Sequence, residues 1–137
     1  MMTGVLDRYY SFHGRLARLP FFIRNFYLGI AASVLFMVSI PLFANGGFWW
    51  WLGILYVIAL LAFLGVGVAS LLVRRLHDLG LSGYHAIWVA AAQSIWTVLS
   101  YAPPKVMLLG LPLFAICFWV TFWPGNKEAN RFGAVPD

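Results

Sequence analysis

The sequence predicts an all-α membrane protein, a compact bundle of four transmembrane helices, and two observations support this prediction. Hydrophobic residues make up 63% of the chain and charged residues 9%, and the mean hydropathy is +0.86. A soluble domain of this size needs far more polar surface to cover itself. In addition, no Lys, Arg, Asp or Glu occurs between Arg24 and Arg74. Most of the chain therefore belongs in a lipid bilayer.

The lengths of the uncharged runs predict the number of crossings. A helix needs about 20 mostly apolar residues to cross the hydrocarbon layer. The first run is long enough for two helices joined by a turn at residues 45–47, and two later runs, ending at Pro104 and Asn126, are each long enough for one. The predicted spans are about 19–43, 48–73, 84–102 and 106–123, within a single domain that covers residues 1–137.

Proline and glycine predict where these helices begin and end. Pro20 suits the first turn of the first long helix, where its missing N–H costs nothing. The second helix is expected to stop at Gly80, which adopts the left-handed conformation easily. Ser82 is the expected N-cap of the third helix. That helix should end at Pro103-Pro104 and the fourth at Pro124-Gly125.

The distribution of cations predicts the orientation, because short cytoplasmic loops carry an excess of Lys and Arg. Lys105 falls between the third and fourth spans. The other eight of the nine cations fall on the opposite side: Arg8, Arg15, Arg18, Arg24, Arg74, Arg75, Lys127 and Arg131. We therefore expect a cytoplasmic N-terminal segment (1–18), loop (74–83) and tail (124–137). The net charge of +5 then reflects topology and attraction to anionic lipid head groups, and we expect no nucleic-acid partner.

Cysteine and histidine provide no recognisable metal motif. Cys117 is the single cysteine and lies within the fourth span, so an internal disulfide and a cysteine-based metal cluster are excluded. His13, His77 and His85 lack the spacing of metal ligands. We expect no metal and no cofactor.

The third span has one polar face. Gln93, Thr97 and Ser100 lie at positions i, i+4 and i+7, so a helix places them on one side. Such a stripe faces protein or water. It indicates either interhelical hydrogen bonding or the lining of a narrow polar path.

The charged residues at the predicted cytoplasmic face are expected to form a network around Asp78. A carboxylate at the C-terminus of a helix opposes the macrodipole, and Arg74 stands in the less favourable order for an i, i+4 pair with it. Asp78 should therefore pair with a cation of another segment. The candidates at the same face are Arg15 and Arg18, ahead of the first span, and Arg131, after the fourth. Such a network would tie three segments together.

Three motifs carry a resemblance to a known family. They are Phe12-His13-Gly14-Arg15-Leu16-Ala17-Arg18, Arg74-Arg75-Leu76-His77-Asp78-Leu79-Gly80-Leu81-Ser82-Gly83-Tyr84, and Asn130-Arg131-Phe132-Gly133 with Pro136. Over nearly the whole chain they resemble the domain-of-unknown-function 805 (DUF805) family of small bacterial inner-membrane proteins. The resemblance implies a multi-span protein of the bacterial inner membrane with no established activity. The matching motif positions are Gly14, Arg15, Arg18, Arg74, Arg75, His77, Asp78, Ser82, Gly83, Asn130 and Gly133.

Three hypotheses for the function remain open. The preferred one is a non-enzymatic membrane module whose cytoplasmic collar of Arg, His and Asp binds anionic lipid or a protein partner, with a homo-oligomer as a further option. The second is a transporter or channel for an ion, proton or small solute, with the polar path along the third helix. The third is an enzyme that acts on a phosphorylated lipid, with arginines holding the phosphate and His77 as acid, base or nucleophile. The collar candidates are Arg15, Arg18, Arg74, Arg75, His77, Asp78, Asn130 and Arg131, and the path candidates are Gln93, Thr97 and Ser100.

Overall fold

The computed structural model describes residues 3–136, and helices make up most of them. The helices are α1 (Thr3–Tyr10), α2 (Arg18–Ala44), α3 (Gly47–Asp78), α4 (His85–Leu99), α5 (Pro104–Met107), a short 3-10 turn (Leu108–Gly110) and α6 (Leu111–Phe122). No strand occurs among the described residues, although an isolated bridge pairs Asn130 with Gly133. The all-α prediction is confirmed.

Three helical stretches are long and apolar enough to cross a membrane. They are Arg18–Ala44, Gly47–Asp78 and Pro104–Phe122. α4 is apolar but has 15 residues, and at 1.5 Å per residue it is roughly 22 Å long, shorter than the hydrocarbon layer of about 30 Å. Three of the four predicted spans therefore have a helix of crossing length, and the crossing by α4 stays a prediction.

Most helix ends in the structure lie close to the positions that glycine and proline predicted. Pro20 lies in the first turn of α2, and α6 ends two residues before Pro124. The predicted turn contains Gly46 and Gly47, with φ of 64° and 55°, and Gly80 follows α3 with φ of 80°. These positive φ values are the reason that glycine is needed there.

The prediction that Ser82 is the N-cap of α4 is wrong. The N-cap is Tyr84, and no side chain caps this helix end. The carbonyl of Ser82, rather than its hydroxyl, accepts the N–H of His85 at 3.1 Å, and that of Gly83 accepts the N–H of Ala86 at 2.9 Å. The backbone already turns tightly over these residues, so carbonyls take the first helical N–H groups.

The described chain divides into two compact units. The first contains α1 and residues Ile23–Leu71, and the second contains residues Phe12–Phe22 together with Leu72 and everything after it. The single-domain bundle of the sequence analysis stays a prediction.

In the first unit α1 packs on α3. The Tyr10 ring lies 4.9 Å from the ring of Phe63 and next to α3 at Gly67, where a Cβ would lie 3.6 Å from it. The hydroxyl of Ser70, which is fully buried, donates to the carbonyl of Tyr9. The ring contact and the Ser70 hydrogen bond thus hold the short helix on α3.

In the second unit α4 packs against α6 and the 3-10 turn. Trp96 provides much of this contact, because its ring lies 5.1 Å from that of Phe114 and covers Gly110, where a Cβ would come within 2.7 Å of the indole. Ala92 and Val120 are buried in the same unit. The residues that lead into α2 and the end of α3 also belong to this unit, and they form the candidate site.

Candidate functional site

Asp78, the last residue of α3, is bound by two guanidinium groups. Nε and Nη2 of Arg15 lie 3.1 and 3.0 Å from its Oδ1, and Nη1 of Arg75 lies 2.7 Å from its Oδ2. Arg15, Arg75 and Asp78 are 6%, 0% and 2% exposed, and we call them the arginine–aspartate cluster. The expectation that Asp78 pairs with a cation outside its own helix is confirmed, and Arg15 is that cation.

The remaining donors of Arg75 bind the C-terminus of α6. Nε donates to the carbonyl of Val120 at 2.8 Å, and Nη2 donates to the carbonyl of Trp123. The last carbonyls of a helix have no partner within the helix, and the negative end of its dipole favours a cation. Arg75 therefore joins the end of α3 to the end of α6.

The remaining donors of Arg15 bind the tail, by which we mean residues 124–136. Nη1 donates to the carbonyls of Glu128 at 2.7 Å and Gly133 at 3.4 Å, and Nη2 donates to the carbonyl of Asn126. The N–H of Asn126 in turn donates to the carbonyl of Asp78 at 2.9 Å. The expected network of three segments is present, and backbone carbonyls of the tail complete it.

The Asp78 carboxylate lies against Gly125, and it fits there because glycine has no side chain. A Cβ at position 125 would overlap both carboxylate oxygens. Sequence reasoning treated this glycine only as a helix terminator and missed its contact with the cluster. The one sequence feature that could have indicated this contact was the position of Gly125 just after α6, the helix whose C-terminus Arg75 caps.

His77 links the segment before α2 to the tail. Its Nδ1 lies 3.1 Å from the carbonyl of Gly14, and its ring stacks on Phe132 with the centroids 3.9 Å apart and the planes at 6°. Because a carbonyl only accepts, Nδ1 carries a proton. Nε2 lies beside Gly83, 3.5 Å from the position of a Cβ there. Phe132 was quoted within a motif, but its stacking was not anticipated.

Asn130 holds the tail in a closed turn. Its Nδ2 donates to the carbonyl of His77 at 2.9 Å, and its Oδ1 accepts the N–H of Phe132 at 2.9 Å. Its backbone pairs with Gly133 through two hydrogen bonds of 3.0 and 3.1 Å. The asparagine therefore satisfies one of the last carbonyls of α3 and fixes the position of the aromatic ring that covers His77.

The other predicted collar cations have different environments. Arg18 and Arg131 are exposed, and so is Lys127. The guanidinium of Arg131 lies over the ring of Phe132, 4.7 Å from its centroid. Arg74 is half-buried, and its carbonyl accepts the N–H of Leu16. The predicted collar therefore consists of a buried part and an exposed part.

The polar stripe of α4 is exposed over its whole length. Gln93, Thr97 and Ser100 all face outwards. The hydroxyl of Thr97 donates to the carbonyl of Gln93 at 2.8 Å, and that of Ser100 donates to the carbonyl of Thr97 at 2.7 Å. The structure does not bring these residues together with the arginine–aspartate cluster.

The residues of the cluster and of the tail turn are the ones on which the family resemblance rested. A family model described as "Protein of unknown function (DUF805)" matches residues 9–134. The chain belongs to the DUF805 family. The matched range of this DUF805 protein includes the cluster, the tail turn and all three apolar stretches of crossing length. No curated protein and no solved structure matches the chain.

Proposed function

We propose that this DUF805 protein is a non-enzymatic four-span module of the bacterial inner membrane whose exposed cytoplasmic cations bind anionic lipid head groups. The division of its cations into two groups supports the proposal. Arg15 and Arg75 are buried and use their donors within the fold. Arg18, Lys127 and Arg131 are exposed, and they are the cations that a head group can reach.

The hydrogen bonds of the tail support an even number of crossings. If α2 and α3 both cross, the segment before α2 and the end of α3 lie at one face, as the bond between Arg15 and Asp78 requires. The tail is bound to the same Arg15, so the chain after Asp78 leaves this face and returns to it. The stretch Pro104–Phe122 is of crossing length, and α4 must then supply the second crossing.

The exposed cations support a cytoplasmic location for this face. Arg18, Lys127 and Arg131 belong to the segments that meet at the cluster, and Lys105 lies at the other end of the proposed spans. Cytoplasmic loops are enriched in such cations. Each one near an anionic surface contributes about 1 kcal/mol of attraction, so three together give a useful preference for anionic lipid.

The buried arginines also weigh against the enzyme hypothesis. An enzyme that grips a phosphate with Arg15 and Arg75 needs their N–H donors for the substrate. Those donors are bound to Asp78 and to carbonyls of α6 and the tail.

The exposure of the polar stripe weighs against the transport hypothesis, which places a path along α4. The stripe lies on the outer surface of the second unit. This position favours a contact surface between helices over a path within one chain.

Lipid selectivity in nanodiscs tests the proposed binding. We expect spin-labelled phosphatidylglycerol to be enriched over phosphatidylcholine next to the protein. The enrichment should fall as the salt concentration rises, because salt screens the attraction between the cations and the head groups. The Debye length is about 8 Å at physiological ionic strength and becomes shorter as more salt is added. A variant that combines Arg18→Gln, Lys127→Gln and Arg131→Gln should lose most of the enrichment.

Lys105→Gln is the matched control, because it removes a cation from the opposite end of the spans. It should leave the enrichment of phosphatidylglycerol unchanged. If the triple variant keeps its enrichment, or if Lys105→Gln lowers it equally, the exposed cations do not form a lipid site and the proposal fails.

A further inference from the structure

A tight turn of the tail presents Arg131 and Phe132 next to each other at its tip. Two backbone hydrogen bonds, of 3.0 and 3.1 Å, close the turn between Asn130 and Gly133. The Asn130 side chain accepts the N–H of Phe132 and donates to the carbonyl of His77 near the end of α3. The turn is therefore attached to α3, and this attachment fixes the backbone from which the two side chains project.

The ring of Phe132 is stacked on His77 and also carries the guanidinium of Arg131. The two rings are nearly parallel, at 6°, with their centroids 3.9 Å apart. Cζ of Arg131 lies 4.7 Å from the centroid of the Phe132 ring, and the negative face of an aromatic ring attracts a cation. Arg131 thus differs from the other exposed cations of the proposed lipid site, because a ring that is itself held in place lies beneath its charge.

The guanidinium of Arg131 keeps its N–H donors available. Contact with a ring uses the face of the group, whereas the donors point outwards in its plane. Arg131 is exposed, and within residues 3–136 its guanidinium forms no hydrogen bond and no ion pair. The donors of Arg15 and Arg75, by contrast, are bound within the fold. Arg131 therefore offers a planar set of donors, held in one place, to an oxyanion from outside the chain.

We propose that Arg131 binds the phosphodiester of an anionic lipid through two parallel N–H···O bonds, and that Phe132 is the residue that positions it. The inference rests on the proposed lipid-binding function and names the residue that gives it geometric specificity. A guanidinium matches two phosphate oxygens at once, whereas the ammonium of a lysine acts as a point charge. A guanidinium that is already held over a ring also loses less side-chain freedom when it binds. The lipid, rather than soluble phosphate, is the ligand because Arg18 and Lys127 add attraction to an anionic surface.

Substitution with conserved charge separates this geometry from charge alone. In nanodiscs, Arg131→Lys keeps the positive charge but lacks the planar donors. It should lower the association constant of spin-labelled phosphatidylglycerol about threefold. Arg8→Lys is the matched control, because Arg8 is an exposed arginine of α1 outside the proposed lipid site, and it should leave the constant unchanged.

The triple glutamine variant described above distinguishes the two ways in which the inference can fail. If that variant loses its enrichment but Arg131→Lys binds as well as the unmodified protein, the geometric role of Arg131 is refuted and the proposed function stands. If the triple variant keeps its enrichment, the proposed function fails and the inference fails with it.

A double-mutant cycle tests whether Phe132 acts through Arg131. Phe132→Leu should lower the association constant as much as Arg131→Lys does. The double variant should bind no more weakly than either single variant, because both changes remove the same contact. Phe132→Tyr keeps an aromatic ring and should retain the binding that Phe132→Leu loses. Additive losses in the double variant would refute the positioning role of Phe132.

Two further measurements test whether the effect belongs to the lipid. Tryptic cleavage after Lys127 reports whether the tail stays bound, and Arg131→Lys should leave its rate unchanged. Faster cleavage would assign Arg131 to holding the tail and would overturn the inference. Inorganic phosphate, added at constant ionic strength, should not displace phosphatidylglycerol. Displacement would show that the site takes soluble phosphate and would refute the lipid as its ligand.

Discussion

At the scale of single residues, Asp78 provides the negative charge for two buried guanidinium groups. Its oxygens lie 3.0 Å from Nη2 of Arg15 and 2.7 Å from Nη1 of Arg75. Burying charges is unfavourable unless each one is paired and its remaining hydrogen-bonding groups are satisfied. Carbonyls of the tail and of α6 accept the other guanidinium donors, so the cluster meets this requirement only when the tail is in place.

We predict that Asp78→Asn destabilises the protein by about 3 to 5 kcal/mol, the usual effect of removing one partner of a buried ion pair. The carboxamide of the variant carries no negative charge, and only its oxygen accepts hydrogen bonds. The guanidinium groups of Arg15 and Arg75 therefore remain buried with no negative charge beside them. Thermal unfolding in detergent should show a large fall in Tm. Glu128→Gln is the control, because the Glu128 side chain is exposed and its backbone carbonyl makes the bond to Arg15. Equal melting of the two variants would contradict a structural role for the cluster.

We predict that Gly125→Ala destabilises the protein by about 1 to 3 kcal/mol, as overpacking does in closely packed interiors. The added methyl group would overlap the Asp78 carboxylate, so the pairs with both arginines would have to shift. Gly65→Ala in α3 meets no atom within 4 Å and should leave Tm unchanged or raise it, because alanine favours a helix. The same thermal unfolding assay compares the two, and a neutral Gly125→Ala would rule out this close contact.

At the scale of elements, the tail has almost no regular secondary structure and is held by side chains of other segments. Arg15 binds three of its carbonyls, and Asn130 binds the carbonyl of His77. The planar guanidinium reaches several acceptors at once because its donors point in fixed directions. Removing that geometry, even without removing the charge, should release the tail.

We predict that Arg15→Lys speeds tryptic cleavage of the tail after Lys127 and Arg131 several-fold. Lysine keeps the positive charge but cannot bind Asp78 and the carbonyls of Asn126 and Glu128 together. Arg18→Lys is the matched control, since Arg18 is exposed. Mass spectrometry of timed digests in detergent gives the rates. Cleavage at the rate of the unmodified protein would mean that the bonds of Arg15 do not hold the tail.

At the scale of the whole molecule, the cluster constrains how the chain crosses the membrane. The segment before α2, the end of α3 and the tail meet through Arg15 and Asp78, so all three must lie at one face. In the topology that we propose, the number of crossings after α3 is therefore even. Helix length and composition identify three stretches that could cross, and the hydrogen-bonded tail is the observation that supports the proposed fourth crossing by α4.

We predict that single thiols at Asn45, Tyr101 and Ala134 report opposite sides, each placed in a Cys117→Ser background. Asn45→Cys and Tyr101→Cys should react with impermeant maleimide from outside the cytoplasm, and Ala134→Cys only from the cytoplasmic side. The positive-inside distribution and the even number of crossings are the reasons. A Tyr101 thiol that reacts from the same side as Ala134 would show that α4 does not cross.

The sequence by itself determined the helical class, the apolar stretches and most of the helix ends. These features depend on composition, on run length and on the local conformations of glycine and proline, such as φ of 80° at Gly80. Family membership was also readable from the motifs, and it is confirmed over residues 9–134. The need of Asp78 for a cation from another segment followed from its place at a helix C-terminus.

Only the tertiary structure decided which groups satisfy that need. Arg15 and Arg75 were two of several arginines near the same face, and the tail binds them through backbone carbonyls, which every residue carries and no sequence pattern marks. The contact of Gly125 with Asp78 likewise depends on how α6 ends beside α3. Local rules fix where helices begin and end. The partners of a buried charge depend on which distant segments pack around it, and that is a property of the folded chain.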